Sequence, residues 1–290
     1  MTNYQIITDA ACDGFDVLLE NLPACIVIPM EVTIGDTLYL YGSDGNISTA
    51  AFYDMQRCGS FAKTSQINPA TYIKYFEPIL QQEQDILYIG LTSGLSNTMQ
   101  SAELAKQQLL EQYPERTIIC LDPFCASVGH GFIVREALTR QAQSMTLDEL
   151  VKWLTEHRMQ ICHWFTVDTL EHLKHGGRIS GTSAALGSVL NIKPMLHLNL
   201  KGQLEATDKL RGRKKAIEAK VKCIAEGWNP ELGNLVVIGH GDCRDEALQM
   251  QQMIADCCPG ADIYIADIGP VIGAHTGPGM LAVIYWGNNR

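Results

Sequence analysis

The chain has 290 residues, 46% hydrophobic and 19% charged, the balance of an ordinary soluble globular protein with one large domain or two modest ones. No window offers the roughly 18 uninterrupted apolar residues of a membrane span, the opening MTNYQIITDA has no basic n-region or cleavage site, and scattered Gly and Pro exclude a disordered or collagenous chain. The 22 Lys and Arg against 32 Asp and Glu give −10, which repels phosphate backbones and disfavours general nucleic-acid binding.

YQIIT near the start reads as a strand, and CIVIPMEVTI, rich in β-branched residues, reads as another. Ser48 caps a helix carrying Phe52 and Met55, and Asn68-Pro69 opens the next in the expected order, N-cap then Pro. DILYIGL is a continuous apolar strand followed by a helix from about Ser96 to Leu110. RTIICLD is a further strand, a long helix runs from about Ala126 to Gln141, and Thr146 to Glu149 is a capping box starting another helix. Strand, helix, strand repeated with fully apolar strands predicts an α/β fold whose parallel sheet is covered on both faces.

The second half is patterned differently. HWFTVDTL leads to a short helix, then GGRISG, a second short helix, and a hairpin of PMLHLN and QLEAT joined by a Lys201-Gly202 turn. NLVVIGH is a buried strand followed by a helix, and ADIYIADIG and MLAVIYWG are strands around a Gly-rich loop. This predicts a smaller α/β domain with a mixed sheet, dividing the chain into 1–158 and 159–290. The ten cysteines form no C-x-x-C pair, so reduced, mostly buried thiols in the cytoplasm are expected, with no metal site.

Four segments carry chemistry. Lys63 to Gln66 puts hydroxyls in a loop leading into a helix, where capping also accounts for them. The turn from Gly90 to Ser96, GLTSGLS, joins a buried strand to a helix, the place where open α/β sheets bind ligands. Its glycines allow close backbone approach, Thr92, Ser93 and Ser96 add neutral donors, and the helix N-terminus favours an anion. The same turn matches G-x-T-x-G, a threonine version of the nucleophile elbow, with His275 or His240 as a base, so a hydrolase or acyltransferase is an alternative. It is not a P-loop.

Gly269 to Gly279, GPVIGAHTGPG, sets His275 and Thr276 among glycines between two apolar strands. His172 and His175 share a helix face without a carboxylate at metal-ligand spacing, and Gly176-Gly177-Arg178 reads as a glycine helix stop. Residues 201–222 hold eight basic side chains against three acidic ones, a +5 stretch inside a −10 chain. Its core, KLRGRKK, is either a solvated helix start or a docking patch for an acidic or phosphorylated partner.

In order along the chain, ITDAACD, KTSQINPATY, GLTSGLSNTMQSA, DPFCASVGHG, VDTLEHLKHGGRISG, LNIKPMLHLNLKGQLEATDKLRGRKKAI and IGPVIGAHTGPGMLAVIYWG resemble the DegV family of bacterial proteins. The resemblance covers about 3–288. It implies a three-layer α/β/α domain plus a smaller α/β domain, with a lipid tunnel between them. It also implies a role as the fatty-acid-binding subunit of a bacterial fatty acid kinase, which makes acyl phosphate for phospholipid synthesis.

Residue by residue, the resemblance places the lipid carboxylate on Thr64 and Ser93, with His275 close by. Arg211, Arg213 and Lys214 fall on the stretch implicated in contact with the kinase or its phosphate. The family's usual T-D-S-T-x-D-L-P opening is altered here at Ala10, Ala11 and Gly14, so no ligand role is carried onto it. The expected protein has no catalytic residue, cofactor or metal of its own. Its ligand is a long-chain fatty acid such as palmitate, and its partner an ATP-dependent kinase in the cytoplasm. Nucleic acid is not expected, a transient membrane-surface contact stays open, and a regulatory lipid-sensing module is a further alternative. Two hydroxyls, backbone N–H groups and an imidazole would hold the carboxylate without Lys or Arg.

Overall fold

A computed structural model describes residues 3–179, 191–288 and 290. The second short helix expected after GGRISG lies outside the described residues. The first half is built on a parallel sheet in the order β2-β1-β6-β7, with β1 Tyr4–Asp9, β2 Ile26–Ile28, β6 Asp85–Ile89 and β7 Ile118–Leu121. Alternation along β6 fills both faces: Ile86 and Tyr88 enter one core cluster, Leu87 and Ile89 another.

CIVIPMEVTI is two strands rather than one. Pro29 has no N–H to continue the ladder, and the chain changes sheets there. After it, β3 (Met30–Ile34) pairs antiparallel with β4 (Thr37–Tyr41) and β5 (Ala62–Thr64) in a small sheet of its own. A two-residue turn with Gly35 at φ 58° joins β3 to β4. This sheet matters because it ends on Thr64.

The helices of the first half start where their caps direct. Ser48 accepts from the Ala51 N–H ahead of α2 (Thr49–Arg57), and Asn68 accepts from the Thr71 N–H ahead of α3 (Pro69–Leu80). Then come α1 (Phe15–Leu18) on the first crossover, α4 (Thr98–Gln112) after β6 and α5 (Val128–Ala142) after β7. The capping box at Thr146 is complete and begins α6 (Leu147–His157).

The second half carries a six-stranded mixed sheet in the order β10-β9-β8-β13-β11-β12. Its members are β8 Ile161–Thr166, β9 Ile192–Leu198, β10 Leu204–Arg211, β11 Leu235–His240, β12 Asp262–Asp267 and β13 Leu281–Trp286. β9 and β10 form the expected hairpin, and only the β11–β12 pair is parallel. On its outer face lie α8 (Arg213–Gly227) and α9 (Arg244–Cys257), which bury Ile217, Ile224, Met250 and Ile254 against Val236, Ile238 and Val283.

The inner face meets the first half. Val237, Ala282, Ile284 and Trp286 share a core cluster with Ile6, Leu87, Phe132 and Leu138. Trp286 packs edge-on to Phe132 at 5.2 Å and to Trp153 at 5.8 Å. Two short helices complete the inner layer, α7 (Glu171–His175) and α10 (Pro270–Thr276). Among the described residues no helix is long and apolar enough to cross a membrane.

Candidate ligand-binding site

A cavity of about 520 Å³ lies where the strand-to-helix turns of the first half face the inner side of the mixed sheet. That volume falls within the roughly 300–1,000 Å³ range of small-molecule sites. Its lining is mixed. Leu91, Val128, Phe165, Leu198, Ala282 and Ile284 give it apolar walls, while Thr64, Ser93, Asn97, Arg178 and His275 are among its polar side chains.

Four of its polar lining residues come from separate elements. Thr64 is the last residue of β5, Ser93 sits in the turn after β6, Arg178 follows α7, and His275 lies in the last turn of α10. Thr64 Oγ1 and His275 Nε2 are 2.9 Å apart. Burial first, and then the charge of Arg178, push His275 down to about 4, so the imidazole is neutral at neutral pH. A neutral ring that donates through Nε2 leaves the Thr64 hydroxyl proton for a further acceptor.

Buried carboxylates place these groups. Asp9, at the end of β1, accepts from the Tyr88 hydroxyl at 2.6 Å and from the Leu91 N–H at 3.0 Å, which fixes the turn carrying Ser93. Asp13 accepts from the Ser127 hydroxyl at 2.7 Å and from the Gly269 N–H at 2.9 Å. Gly269 is the N-cap of α10, so Asp13 ties the helix of His275 to the first half. Tyr53 and Gln56 of α2 add bonds to the Ile268 and Gly273 carbonyls of the same segment.

The turn itself differs from expectation in one respect. Its N–H groups are already used: Leu91 donates to Asp9, Thr92 to Cys125, Ser93 to Asp122, Gly94 to the Thr92 hydroxyl, and Leu95 and Ser96 to the Thr92 carbonyl. An anion here therefore meets side chains, not a backbone cradle. One of those side chains is a cation. Arg178 lines the cavity, with its guanidinium donating to the Leu95 and Gly176 carbonyls. The sequence reading of GGR as a helix stop explains Gly177, at φ 67°, but passes over the arginine beside it. Its signal was a lone basic residue next to paired glycines, too common a pattern to single out.

Thr92 does not have the geometry of a nucleophile. It is fully buried, is not among the positive-φ residues, and its hydroxyl donates to the Gly202 carbonyl at 3.4 Å. His240, the second candidate base, ends β11 beside Asp267 and does not line the cavity. His172 and His175 pack against Phe61 at 4.9 and 4.7 Å between ring centres. No group of metal-ligating side chains is present among the described residues.

Arg211, Arg213 and Lys214 do not line the cavity and differ among themselves. Arg211 is exposed at the end of β10, and Lys214 is 85% exposed with Glu218 at 3.9 Å. Arg213 is held inside the fold, with Nε 2.9 Å from Glu246 and Nη1 3.5 Å from Asp168. Lys220, from the same basic stretch, is fully buried and donates to Thr166 at 2.8 Å.

A family model described as an uncharacterised protein of the DegV family matches residues 3–288. A DegV domain-containing protein of Clostridium perfringens is 37% identical over 290 residues, covering 100% of this chain and 99% of its own. A DegV family protein from Thermus thermophilus, described for its fatty acid binding, is 30% identical with a TM-score of 0.85, over 99% of this chain and 100% of that one. A fatty acid binding DegV family protein from Streptococcus agalactiae is 26% identical with a TM-score of 0.84, over 100% of both chains. The Streptococcus pneumoniae Fatty Acid Kinase (Fak) B3 protein, loaded with linoleic acid, shares the fold at a TM-score of 0.86 and 22% identity, over 99% of this chain and 100% of that one.

Proposed function

The chain belongs to the DegV family, and we propose from that membership and from the cavity with its apolar walls and polar side chains that it binds a long-chain fatty acid such as palmitate. Thr64 and Ser93 hold the carboxylate, with His275 behind Thr64 and the Arg178 charge nearby. The acyl tail runs between two domains, 1–158 and 159–290. The observation that carries this reading is that Thr64, Ser93 and His275 all line one cavity of about 520 Å³ with extensive apolar walls, with Thr64 and His275 2.9 Å apart.

The energetics support such a ligand. Each buried CH₂ contributes about 0.8 kcal/mol, so the tail supplies affinity and the polar groups supply orientation. A carboxylate held by hydroxyls beside a guanidinium stays ionised and keeps its oxygens at those groups. The protein then presents that carboxylate to an ATP-dependent fatty acid kinase in the cytoplasm. The phosphoryl group passes from ATP to the carboxylate oxygen on the kinase side, so this chain acts as a carrier that needs no cofactor of its own. The surface cations Arg211 and Lys214 contribute to the contact with that kinase, and Arg213 frames it from inside the fold.

A hydrolase built on the Gly90–Ser96 turn is disfavoured by the burial of Thr92. Labelled palmitate offered to the delipidated protein and to Thr64→Ala tests the reading. Saturable binding that weakens in the variant supports it, and absence of binding to the wild type defeats it.

A further inference from the structure

Cys257 and Cys258 stand apart from the cavity, where α9 ends on the outer side of the mixed sheet. All ten cysteines are free, and the Sγ atoms of these two are 3.7 Å apart. Their surroundings are opposite. Cys257, the last residue of the helix, is exposed, whereas Cys258 is 2% exposed and packs in the outer core cluster with Ile254 and Val236. The Ile254 carbonyl accepts from both, from the Cys258 N–H at 2.8 Å and from the Cys257 thiol at 3.5 Å.

An exposed thiol meets dissolved reagents, and a second sulfur beside it can displace whatever has been added. Burial first, and then the neighbouring Cys257 sulfur, push Cys258 up to about 12, so Cys258 does not open such a reaction. Its thiolate fraction at neutral pH is about 10⁻⁵. A group held beside its target, however, acts as though present at about 10⁵ M or more. Proximity therefore offsets the high pKa, and dilute thiols in solution compete poorly for the second step.

Adjacency also decides how long the product lasts. Neighbouring Cα atoms lie about 3.8 Å apart across a trans peptide, below the roughly 4.4–6.8 Å of ordinary disulfides. A bond between these sulfurs is strained and readily reduced, which suits reversible use and not a structural staple. The chain has room to adjust here. Pro259 cannot continue the helix, and Gly260, at φ 90°, has nothing within 4 Å of a Cβ position.

We propose that Cys257 and Cys258 form a reversible redox site that reacts with low-molecular-weight disulfides such as oxidised glutathione. Cys257 gives its proton to solvent, and its sulfur attacks one sulfur of the oxidant. The oxidant's S–S bond breaks, a mixed disulfide forms on Cys257, and one thiol leaves with a proton from solvent. Cys258 then gives up its proton, attacks Cys257 Sγ and releases the second thiol in the same way. Two protein thiols are oxidised and one disulfide is reduced to two thiols, so electrons and protons balance. Excess reduced thiol runs both steps backward. The site is independent of the fatty-acid reading.

The test is peptide mapping. Reduced full-length protein is incubated with oxidised glutathione, quenched with acid, unfolded, and blocked with N-ethylmaleimide before mass spectrometry. The peptide carrying both residues is expected to escape the maleimide and to lose the mass of two hydrogens, and dithiothreitol is expected to restore it. In Cys258→Ala the reaction is expected to stop at glutathione on Cys257. In Cys257→Ser, Cys258 is expected to remain a thiol. The wild-type peptide decides alone if a variant fails to fold. The proposal is overturned if the wild type stops at glutathione on Cys257 with Cys258 still open to maleimide, or if neither cysteine reacts.

Discussion

Thr64 and His275 are 211 positions apart in the chain and 2.9 Å apart in the fold. The contact joins two elements of the cavity lining, a strand end of the small sheet and the last turn of α10. Because the imidazole is neutral, its contribution is to orient the Thr64 hydroxyl and not to pair with an anion as a charge.

Removing the hydroxyls tests that arrangement. Thr64→Ala and Ser93→Ala are each expected to weaken palmitate binding by about tenfold, the scale of a hydrogen bond to a charged group. Thermal unfolding without ligand should barely move for Ser93→Ala, whose side chain is exposed. Unchanged palmitate affinity in both variants would place the carboxylate elsewhere.

Asp13 gives the fold a pH signature. Burial pushes its carboxyl up to about 7, helped by Asp16 and Asp267 and opposed by the Ser127 and Gly269 donors. An unfolded aspartate releases its proton near pH 4. Between about pH 4 and pH 7 the folded state therefore binds more protons than the unfolded one, and Asp13 lowers stability as pH rises through that window. Asp13→Asn should remove this slope from urea midpoints measured across the window. A variant with the wild-type slope would show that another group is responsible.

Lys220 acts in a higher window. Burial first, and then the charge of Arg213, bring its ammonium down to about 7 from an ordinary 10.5. Above about pH 7 the unfolded chain holds the extra proton, so stability contributed by this residue rises with pH up to about 10.5. Lys220→Met should raise the urea midpoint at neutral pH and flatten the profile above it. A lower midpoint at every pH would mean that the bonds to Thr166 and the Ala216 carbonyl outweigh the cost of burying the charge.

The basic segment separates into surface and structural members. Arg213→Glu faces Glu246 and Asp168 with a third negative charge and should cost several kcal/mol, as breaking a largely buried pair does (about 3–5 kcal/mol). Lys214→Glu and Arg211→Glu should leave thermal stability nearly unchanged. If this surface meets the kinase, the two exposed variants will slow acyl-phosphate formation in a reconstituted assay while binding palmitate normally. Wild-type rates in both would remove the segment from the interface.

The strands, caps and the β9–β10 hairpin were legible because each is a local pattern. Ser48, Asn68 and Thr146 cap their helices within four residues of themselves. The small sheet was not legible, since CIVIPMEVTI reads as one β-branched run in which only Pro29 and the alternation of Glu31 and Thr33 after it mark the change of sheet. Thr64, Ser93 and His275 were reached through a family resemblance, and the fold brings all three to one cavity. Arg178 and Asp13 were passed over for a shared reason. Their roles depend on partners distant in sequence, such as Gly269, 256 positions from Asp13, and no spacing rule reports such a contact.

The central claim is that this protein carries a fatty acid in the cavity headed by Thr64, Ser93 and His275. Native mass spectrometry of protein purified from cells, with lipid extraction of the same sample, tests it most directly. The expected result is a bound mass that extraction identifies as a long-chain fatty acid at about one per chain, diminished in Thr64→Ala. Apo protein alone, together with no uptake of added palmitate, would contradict the account.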